Sequence, residues 1–411
     1  MIRVEALHKV FGPTPEHALA LLAEGRSKDE IRAETGHVIG VQNVSFALKP
    51  GEFFVIMGLS GSGKSTLLRA INRLIEPTSG HVWLTTDDGE VDVAAADKRA
   101  LRGLRQDHLA MVFQRFGLLP HRSVRENVAY GLEVKGVGRA ERTRRAEEVI
   151  EMVGLGGWGA SPPSALSGGM QQRVGLARAI ATGAKVLLMD EPFSALDPLI
   201  KMQMQDEMIR LQRQLGRTIV FITHDLDEAL RLGDRIAIME DGRFVQIGTP
   251  ERIITEPRTP YVADFVAHAD PTGVITAATV AVPPDHERVD VVGQEAGARV
   301  LAHRTQPDVE IVVEPDGRVR EVRADGARAV LVAVDELLAE ETPGSRHRDR
   351  VPVVRGERTL KTLLEARNRC NLPLLVVDED ERLIGIVTER EIIHSTIEKR
   401  GPNGDTAAVA A

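Results

Sequence analysis

The stretch Gly58-Leu59-Ser60-Gly61-Ser62-Gly63-Lys64-Ser65 sets glycines, hydroxyls and one lysine in the order that cradles a phosphate chain. The glycines let backbone N–H groups turn inward onto oxygen atoms, and Lys64 brings a point charge to the terminal phosphates. Ser65, followed by Thr66, offers a hydroxyl to Mg2+. The apolar run Phe53 to Met57 precedes the loop and a helical run from Ser65 to Arg73 follows, so the loop ends on the positive pole of a helix. A second constellation is Val186-Leu187-Leu188-Met189-Asp190-Glu191, an apolar strand ending in two acids. Carboxylates so placed emerge at the sheet edge where α/β proteins bind their ligands. Asp190 is then the metal-side acid, and Glu191 is placed to orient and deprotonate a water attacking a terminal phosphate. Between the two lies Ser167-Gly168-Gly169, which opens a helix and forms an anion site with no lysine of its own. Such a half-site needs a phosphate supplied from elsewhere.

From about Arg3 to Gly248 short β-rich runs alternate with amphipathic helical runs, which predicts an α/β domain on a mainly parallel sheet. Strands are expected at Phe53 to Met57, Leu109 to Phe113, Val186 to Met189, Thr218 to Thr223 and Arg235 to Met239. A helical insertion separates Phe11 from Val41: Glu16 to Leu22 reads as one short helix, and Ser27 with Glu30 has capping-box spacing before a stop at Gly36. Near residue 267 the texture changes to Pro- and Gly-punctuated sequence, and the stretch to about Asp290 reads as a linker or a domain's first strand. Beyond it two β-β-α units are expected, ending near Leu337 and Ile397, the second capped by Thr388 with Glu391. The resulting division is 1–267 for the first domain, 268–290 for a linker, 291–400 for a second domain and 401–411 for a disordered tail.

Length and composition agree with this plan. At 411 residues the chain exceeds what one core usually serves, and 43% hydrophobic with 27% charged residues is ordinary for globular domains. A formal charge of -8 argues against nucleic acid as the main partner. The single cysteine, Cys370, cannot form an internal disulfide. No stretch reaches the roughly 18 apolar residues that a membrane span needs, so membrane association would have to come through a partner.

The full motif set resembles the ATPase domain of ABC transporters over residues 1 to about 250. Leu166 to Arg173 looks like the signature, Gln114 after Met111 to Phe113 like the Q-loop, Ser194-Ala195-Leu196-Asp197 like the D-loop, and His224 after Phe221-Ile222-Thr223 like the switch histidine. The insertion, the phosphate loop Val55 to Thr66, Phe193 to Ile200 and His224 to Ala229 are similar to those of glycine betaine and proline betaine importers. The second domain is similar to the tandem CBS modules that such importers append, with Glu391 where nucleotide-binding CBS modules carry Asp. The resemblance thus implies an α/β P-loop NTPase domain with a helical subdomain at about 120–182, followed by a smaller α+β CBS-like domain.

It also implies an enzyme that hydrolyses ATP with Mg2+ between two copies of itself. Each nucleotide would lie between Lys64 of one copy and Ser167, Gly168, Gly169 and Gln171 of the other, with Asp197 in the D-loop alongside. Ser65, Gln114 and Asp190 would hold the metal; Glu191, Gln114 and His224 would act in hydrolysis. Phe11 corresponds in position to the adenine-stacking aromatic, the other reading being a core Phe on strand one; His224 is otherwise a structural histidine. Implied partners are a membrane permease and, through it, a substrate-binding protein, with the subunit at the cytoplasmic face of the inner membrane. Amino acids or choline remain alternative cargoes, and a non-transport ABC ATPase a remote alternative.

Overall fold

The computed structural model describes residues 1–114, 117–194, 196–267, 269–339 and 347–397, so the tail expected at 401–411 lies outside the described residues. The chain divides into two compact units, Met1–Ile253 and the residues from Ile254 onward. The first unit begins β1 (Ile2–Phe11), α1 (Pro15–Ala23), α2 (Lys28–Thr35), β2 (Val38–Leu48), β3 (Phe53–Met57), α3 (Lys64–Ile71), β4 (Ser79–Thr86) and β5 (Gly89–Asp92). It continues α4 (Lys98–Asp107), β6 (Leu109–Val112), α5 (Val124–Val134), α6 (Arg139–Met152), α7 (Gly168–Ala181), β7 (Val186–Asp190) and α8 (Pro198–Leu215). Then come β8 (Thr218–Thr223), α9 (Leu226–Leu232), β9 (Arg235–Glu240) and β10 (Arg243–Gly248), with α10 (Pro250–Thr255) spanning the division.

A six-stranded sheet runs β10-β9-β3-β8-β7-β6, parallel except for β10. Every residue of β3, β7 and β8 is buried, which is why these strands read as unbroken apolar runs. A separate antiparallel sheet, β2-β1-β4-β5, shares a core with it that includes Ile2, Val4, Phe54, Ile56, Leu68 and Ile222. Phe46 of the antiparallel sheet stacks on Phe54 of the parallel one at 5.0 Å.

The insertion between β1 and β2 folds as its capping residues dictate. Ser27 accepts the Glu30 N–H while the Glu30 carboxylate accepts the Ser27 N–H, and Gly36 ends α2 at φ +72. Val10, Ala18, Leu21, Ile31 and Ile39 give it a small core of its own. Within residues 120–182, α5, α6 and α7 pack together. The basic run from Arg139 is a solvated helix face, on which Arg144 and Arg145 pair with Glu141.

The second unit contains α11 (Pro260–Val266), α12 (Ala277–Val280), β11 (Val289–Glu295), β12 (Ala298–His303), β13 (Gln306–Val313), β14 (Val319–Ala324) and β15 (Ala327–Ala333). After them come α13 (Val334–Ala339), β16 (Arg350–Arg355), α14 (Leu360–Arg369), β17 (Leu374–Val377), β18 (Leu383–Val387) and α15 (Glu389–Ile397). Among the described residues, the eight strands β11 to β18 form one sheet in chain order, antiparallel from β11 to β15, parallel across β15-β16-β17 and antiparallel again at β17-β18.

The second unit departs from the sequence expectation in two places. The first of the two expected β-β-α units is instead a five-strand antiparallel meander, β11 to β15, followed by the short α13. Its turns at Ala296-Gly297 and Asp325-Gly326 place both residues at positive φ, the geometry of two-residue hairpins. The linker expected at 268–290 carries Ile275, Ala277, Val280 and Val282 into the second unit's core, and the break between units falls after Ile253 rather than at 267. The second expected β-β-α segment forms as read, with Thr388 N–H donating to the Glu391 carboxylate at 2.9 Å.

Candidate nucleotide site

Strand register assembles the site. Met57 pairs with Thr223 and Asp190 with Ile222, so β3, β8 and β7 end at one edge of the sheet. The phosphate loop, the acidic pair and His224 each follow one of these strands. An open cleft of roughly 560 Å3 is lined there by Phe11, Val38, Gly40, Lys64, Glu191 and His224, with Ile39, Ser60, Gly61, Gly63, Ser65 and Thr66 completing the wall.

The loop's glycines answer to steric need at two positions. A Cβ on Gly58 (φ +151) would lie 2.1 Å from the Met239 carbonyl oxygen, and one on Gly63 (φ +104) 2.2 Å from that of Gly40. Lys64 is buried, and its ammonium donates to the Gly58 and Leu59 carbonyls at 2.8 and 2.9 Å. Burial holds its pKa below the usual lysine value, against the opposing charges of Glu191 and Asp190. An arriving anion therefore meets a cation short of charge compensation.

Asp190 is 3% exposed; one carboxylate oxygen accepts the Ser65 hydroxyl at 2.7 Å and the other accepts Arg69 at 3.1 Å. Arg69 was not anticipated as a site residue, although its i,i+4 spacing from Ser65 on α3 puts both on one helix face. Glu191 occupies φ +45, unusual for a residue with a Cβ, and its N–H donates to the Ile222 carbonyl at 3.1 Å. Its carboxylate lies 3.1 Å from His224 Nδ1. Gln114 donates to Ser194 Oγ at 3.3 Å, and Ser194 Oγ donates to the Glu191 carbonyl at 3.0 Å, which links the segment after β6 to the acidic pair.

Phe11 is 40% exposed on the cleft wall, with Lys9 Nζ 5.0 Å from its ring centroid, so the reading of Phe11 as a core residue is excluded. Ser167 caps α7 by accepting the Met170 N–H at 3.4 Å, and Ser167 and Gly168 are exposed while Gly169 packs against Ile200. Gln171 is spent on the carbonyls of Pro163 and Leu166, both at 3.2 Å. Asp197 caps α8 through the Ile200 N–H at 3.1 Å. Residues 167–171 and Asp197 do not line the cleft of their own chain.

A further network, also missed in the sequence, lies behind His224. Lys201 of α8 donates to Asp225 at 2.6 Å and sits 3.6 Å from buried Glu228, to which Gln205 donates at 3.3 Å. Burial raises the Glu228 pKa, and this polar cluster fastens α8 to the segment carrying His224.

Hard oxygen donors, Ser65 Oγ and Asp190 Oδ1, stand side by side next to the lysine loop, with Gln114 at the adjoining strand end. Among the described residues no cluster of three or more His, Cys, Asp or Glu could cage a metal. A divalent cation at this place would complete its shell with phosphate oxygens and water, the habit of Mg2+.

A strand-loop-helix turn with the phosphate-loop pattern, an acid pair on the next strand but one and a serine-capped, exposed helix start after Ser167 define an ATPase of the ABC type. The family profile described as ABC transporter matches residues 41–194. The glycine betaine/carnitine transport ATP-binding protein GbuA of Listeria monocytogenes is 44% identical over 95% of this chain and 96% of its own. The glycine betaine transport ATP-binding protein OpuAA of Bacillus subtilis is 43% identical over 95% of this chain and 91% of its own. A dimeric bacterial ABC transporter cassette shares 32% identity at a TM-score of 0.51, covering 61% of this chain and 99% of that one; a second structure of it holds ADP and phosphate. The chain belongs to the glycine betaine transport ATP-binding proteins of the ABC transporter family. Among the described residues no helix is long and apolar enough to cross a membrane.

Proposed function

We propose that this chain is the ATP-hydrolysing subunit of an importer for glycine betaine, proline betaine and similar compatible solutes. The observation that carries the reading is the cleft itself: Lys64, Glu191 and His224 line one space at the edge of the parallel sheet, with Asp190 buried behind Ser65. The near full-length identity to betaine transport ATP-binding proteins supports the cargo class. Two copies would close on two ATP molecules, each held by the phosphate loop of one protomer and Ser167, Gly168 and Gly169 of its partner. Closure would drive a membrane permease, served by a substrate-binding protein, from the cytoplasmic face of the cell membrane.

In this scheme the loop N–H groups and Lys64 orient the phosphate chain, and Phe11 stacks on the adenine. Glu191 accepts the proton of the attacking water, while His224 holds the Glu191 carboxylate and reaches the γ-phosphate. Ser65, Asp190 and Gln114 would hold Mg2+, which when bound neutralises charge developing on the phosphate oxygens. Arg69 keeps the outer oxygen of Asp190 occupied so that the inner one faces Ser65. Replacing Arg69 by Met is therefore expected to raise the Mg2+ concentration needed to tighten nucleotide binding by about tenfold, read by titrating Mg2+ against ATP affinity.

For the second unit, the order β16-α14-β17-β18-α15 supports a CBS-like fold of its latter half. Thr388 and Glu391 are both buried, and the Thr388 hydroxyl donates to the Glu391 carboxylate. A hydroxyl so engaged favours a module acting through packing or charge over one that binds a ribose.

Uptake of labelled glycine betaine after osmotic upshift tests the cargo. Cells lacking this subunit should lose that uptake and regain it on complementation, with excess unlabelled proline betaine competing. Unchanged betaine uptake in the deletion strain would remove the assignment.

A further inference from the structure

We propose that the insertion of residues 12–37 is a brace that pre-forms the ATP cleft, with His37 and Lys28 as its positioning residues. The inference rests on reading the cleft as an ATP site, and it concerns what holds that site in shape.

At its neck the insertion is clasped next to the base wall. Phe11 and Val38, both facing the cleft, are cross-strand partners of β1 and β2, and everything between them is insertion. Gly12 (φ +146) lies against the imidazole of His37 so closely that a Cβ there would sit 2.2 Å from a ring carbon. His37 is 3% exposed; its Nε2 accepts the Thr14 N–H at 3.2 Å, and its own N–H donates to Thr35 Oγ1 at 3.2 Å. Thr35 Oγ1 in turn donates to the Ile31 carbonyl at 2.6 Å. The imidazole thus ties the start of the insertion to its end at the base of Phe11.

At its far side the insertion reaches the phosphate loop. Asp241 (φ +48) and Gly242 (φ +81) form the two-residue turn joining β9 to β10. The Gly242 N–H donates to the Ser62 carbonyl at 2.9 Å, and its carbonyl accepts the Gln42 N–H at 2.8 Å. Gln42 Nε2 donates to the Asp241 carbonyl at 2.7 Å. Lys28 of α2 packs its ammonium onto this turn, 3.0 Å from where a Gly242 Cβ would be. Burial lowers the Lys28 pKa, and the Asp241 charge opposes that shift. His37 therefore backs the wall that faces the base, and Lys28 backs the turn that holds Ser62. A cleft shaped before the nucleotide arrives avoids the ordering cost of shaping it on binding.

The test uses the full-length protein, with MgATP titrated against wild type, His37→Ala, Lys28→Met and His37→Gln. Both His37→Ala and Lys28→Met should raise the dissociation constant and the KM for ATP by about tenfold while kcat stays at the wild-type value. His37→Gln, which keeps an acceptor for the Thr14 N–H, should recover most of the affinity. If instead the variants lower the melting temperature of the nucleotide-free protein and bind ATP as wild type does, the insertion is only structural and the proposal falls. Should His37→Ala fail to fold, Lys28→Met alone decides between these outcomes. A wild-type protein that binds no ATP would overturn the reading of the cleft itself, a result distinct from variants that match a competent wild type.

Discussion

Glu191→Gln protein binds ATP with wild-type affinity and hydrolyses it about a thousandfold more slowly. The substitution changes almost nothing but proton affinity. Gln has the length of Glu, can keep a hydrogen bond to His224 Nδ1 at the 3.1 Å position, and leaves Lys64, Ser65 and Asp190 untouched. What it removes is the carboxylate that lines the cleft and is held there by His224, whereas Asp190 already accepts from Ser65 and Arg69. General-base loss of this kind typically removes two to four orders of magnitude, on the order of 10² to 10⁴. His224→Ala should cost less, since it loosens Glu191 without taking away the base. Single-turnover phosphate release paired with a nucleotide titration separates the two properties. Turnover within threefold of wild type would show that some other group accepts the proton.

The strained backbone at Glu191 belongs to the same argument. A residue at φ +45 just past a fully buried strand is held there by its N–H bond to Ile222 and by Ser194 bonding its carbonyl. Ser194 also accepts from Gln114, so the position of Glu191 depends on two segments that follow different strands. The Lys201, Asp225 and Glu228 cluster adds a third tie, from α8 to the segment carrying His224. Any movement of α8 on pairing of two copies would be felt at Glu191.

These connections explain what the sequence could and could not disclose. The phosphate loop and the acid pair were legible as contiguous runs at the ends of apolar strands, and His224 as a single residue at another such end through the family resemblance; a parallel sheet brings such ends together. Arg69 was not, since one arginine in the last turn of a helix reads as a solvated charge until Asp190 is found beside it. The clasp of Gly12 on His37 spans the whole insertion and leaves no local pattern. In the second unit, the apolar and charged alternation of Val289 to Ala333 has the period of strands, and the turn residues Ala296-Gly297 and Asp325-Gly326 marked hairpins. The expectation of a repeat unit overrode that period. The linker reading of 268–290 failed for a related reason: short elements rich in Ala and Val bury few residues each, yet Ile275, Ala277, Val280 and Val282 all enter the core.

Mixed dimers give the second large effect, an all-or-none change in nucleotide occupancy. Lys64→Ala removes the buried cation of the phosphate loop, and Gly168→Asp puts a carboxylate at the exposed start of α7, where an anion would dock. Neither homodimer should hold ATP in the closed state. If Ser167 and Gly168 act on the nucleotide of the other protomer, pairing a Lys64→Ala chain with a Gly168→Asp chain concentrates both defects in one composite site. The other site, made from the intact loop of one chain and the intact helix start of the other, then traps ATP at half the wild-type stoichiometry. Pairing a wild-type chain with a chain carrying both substitutions places one defect in each site and should trap none. A site completed within a single chain predicts the reverse pattern for the two pairings. Tandem-tagged heterodimers in a Glu191→Gln background, scored by bound nucleotide, distinguish the cases without any need for turnover. The physical basis is that the helix start of α7 presents N–H groups and a hydroxyl suited to an anion yet lines no part of its own chain's cleft, the arrangement expected if a second copy supplies the nucleotide.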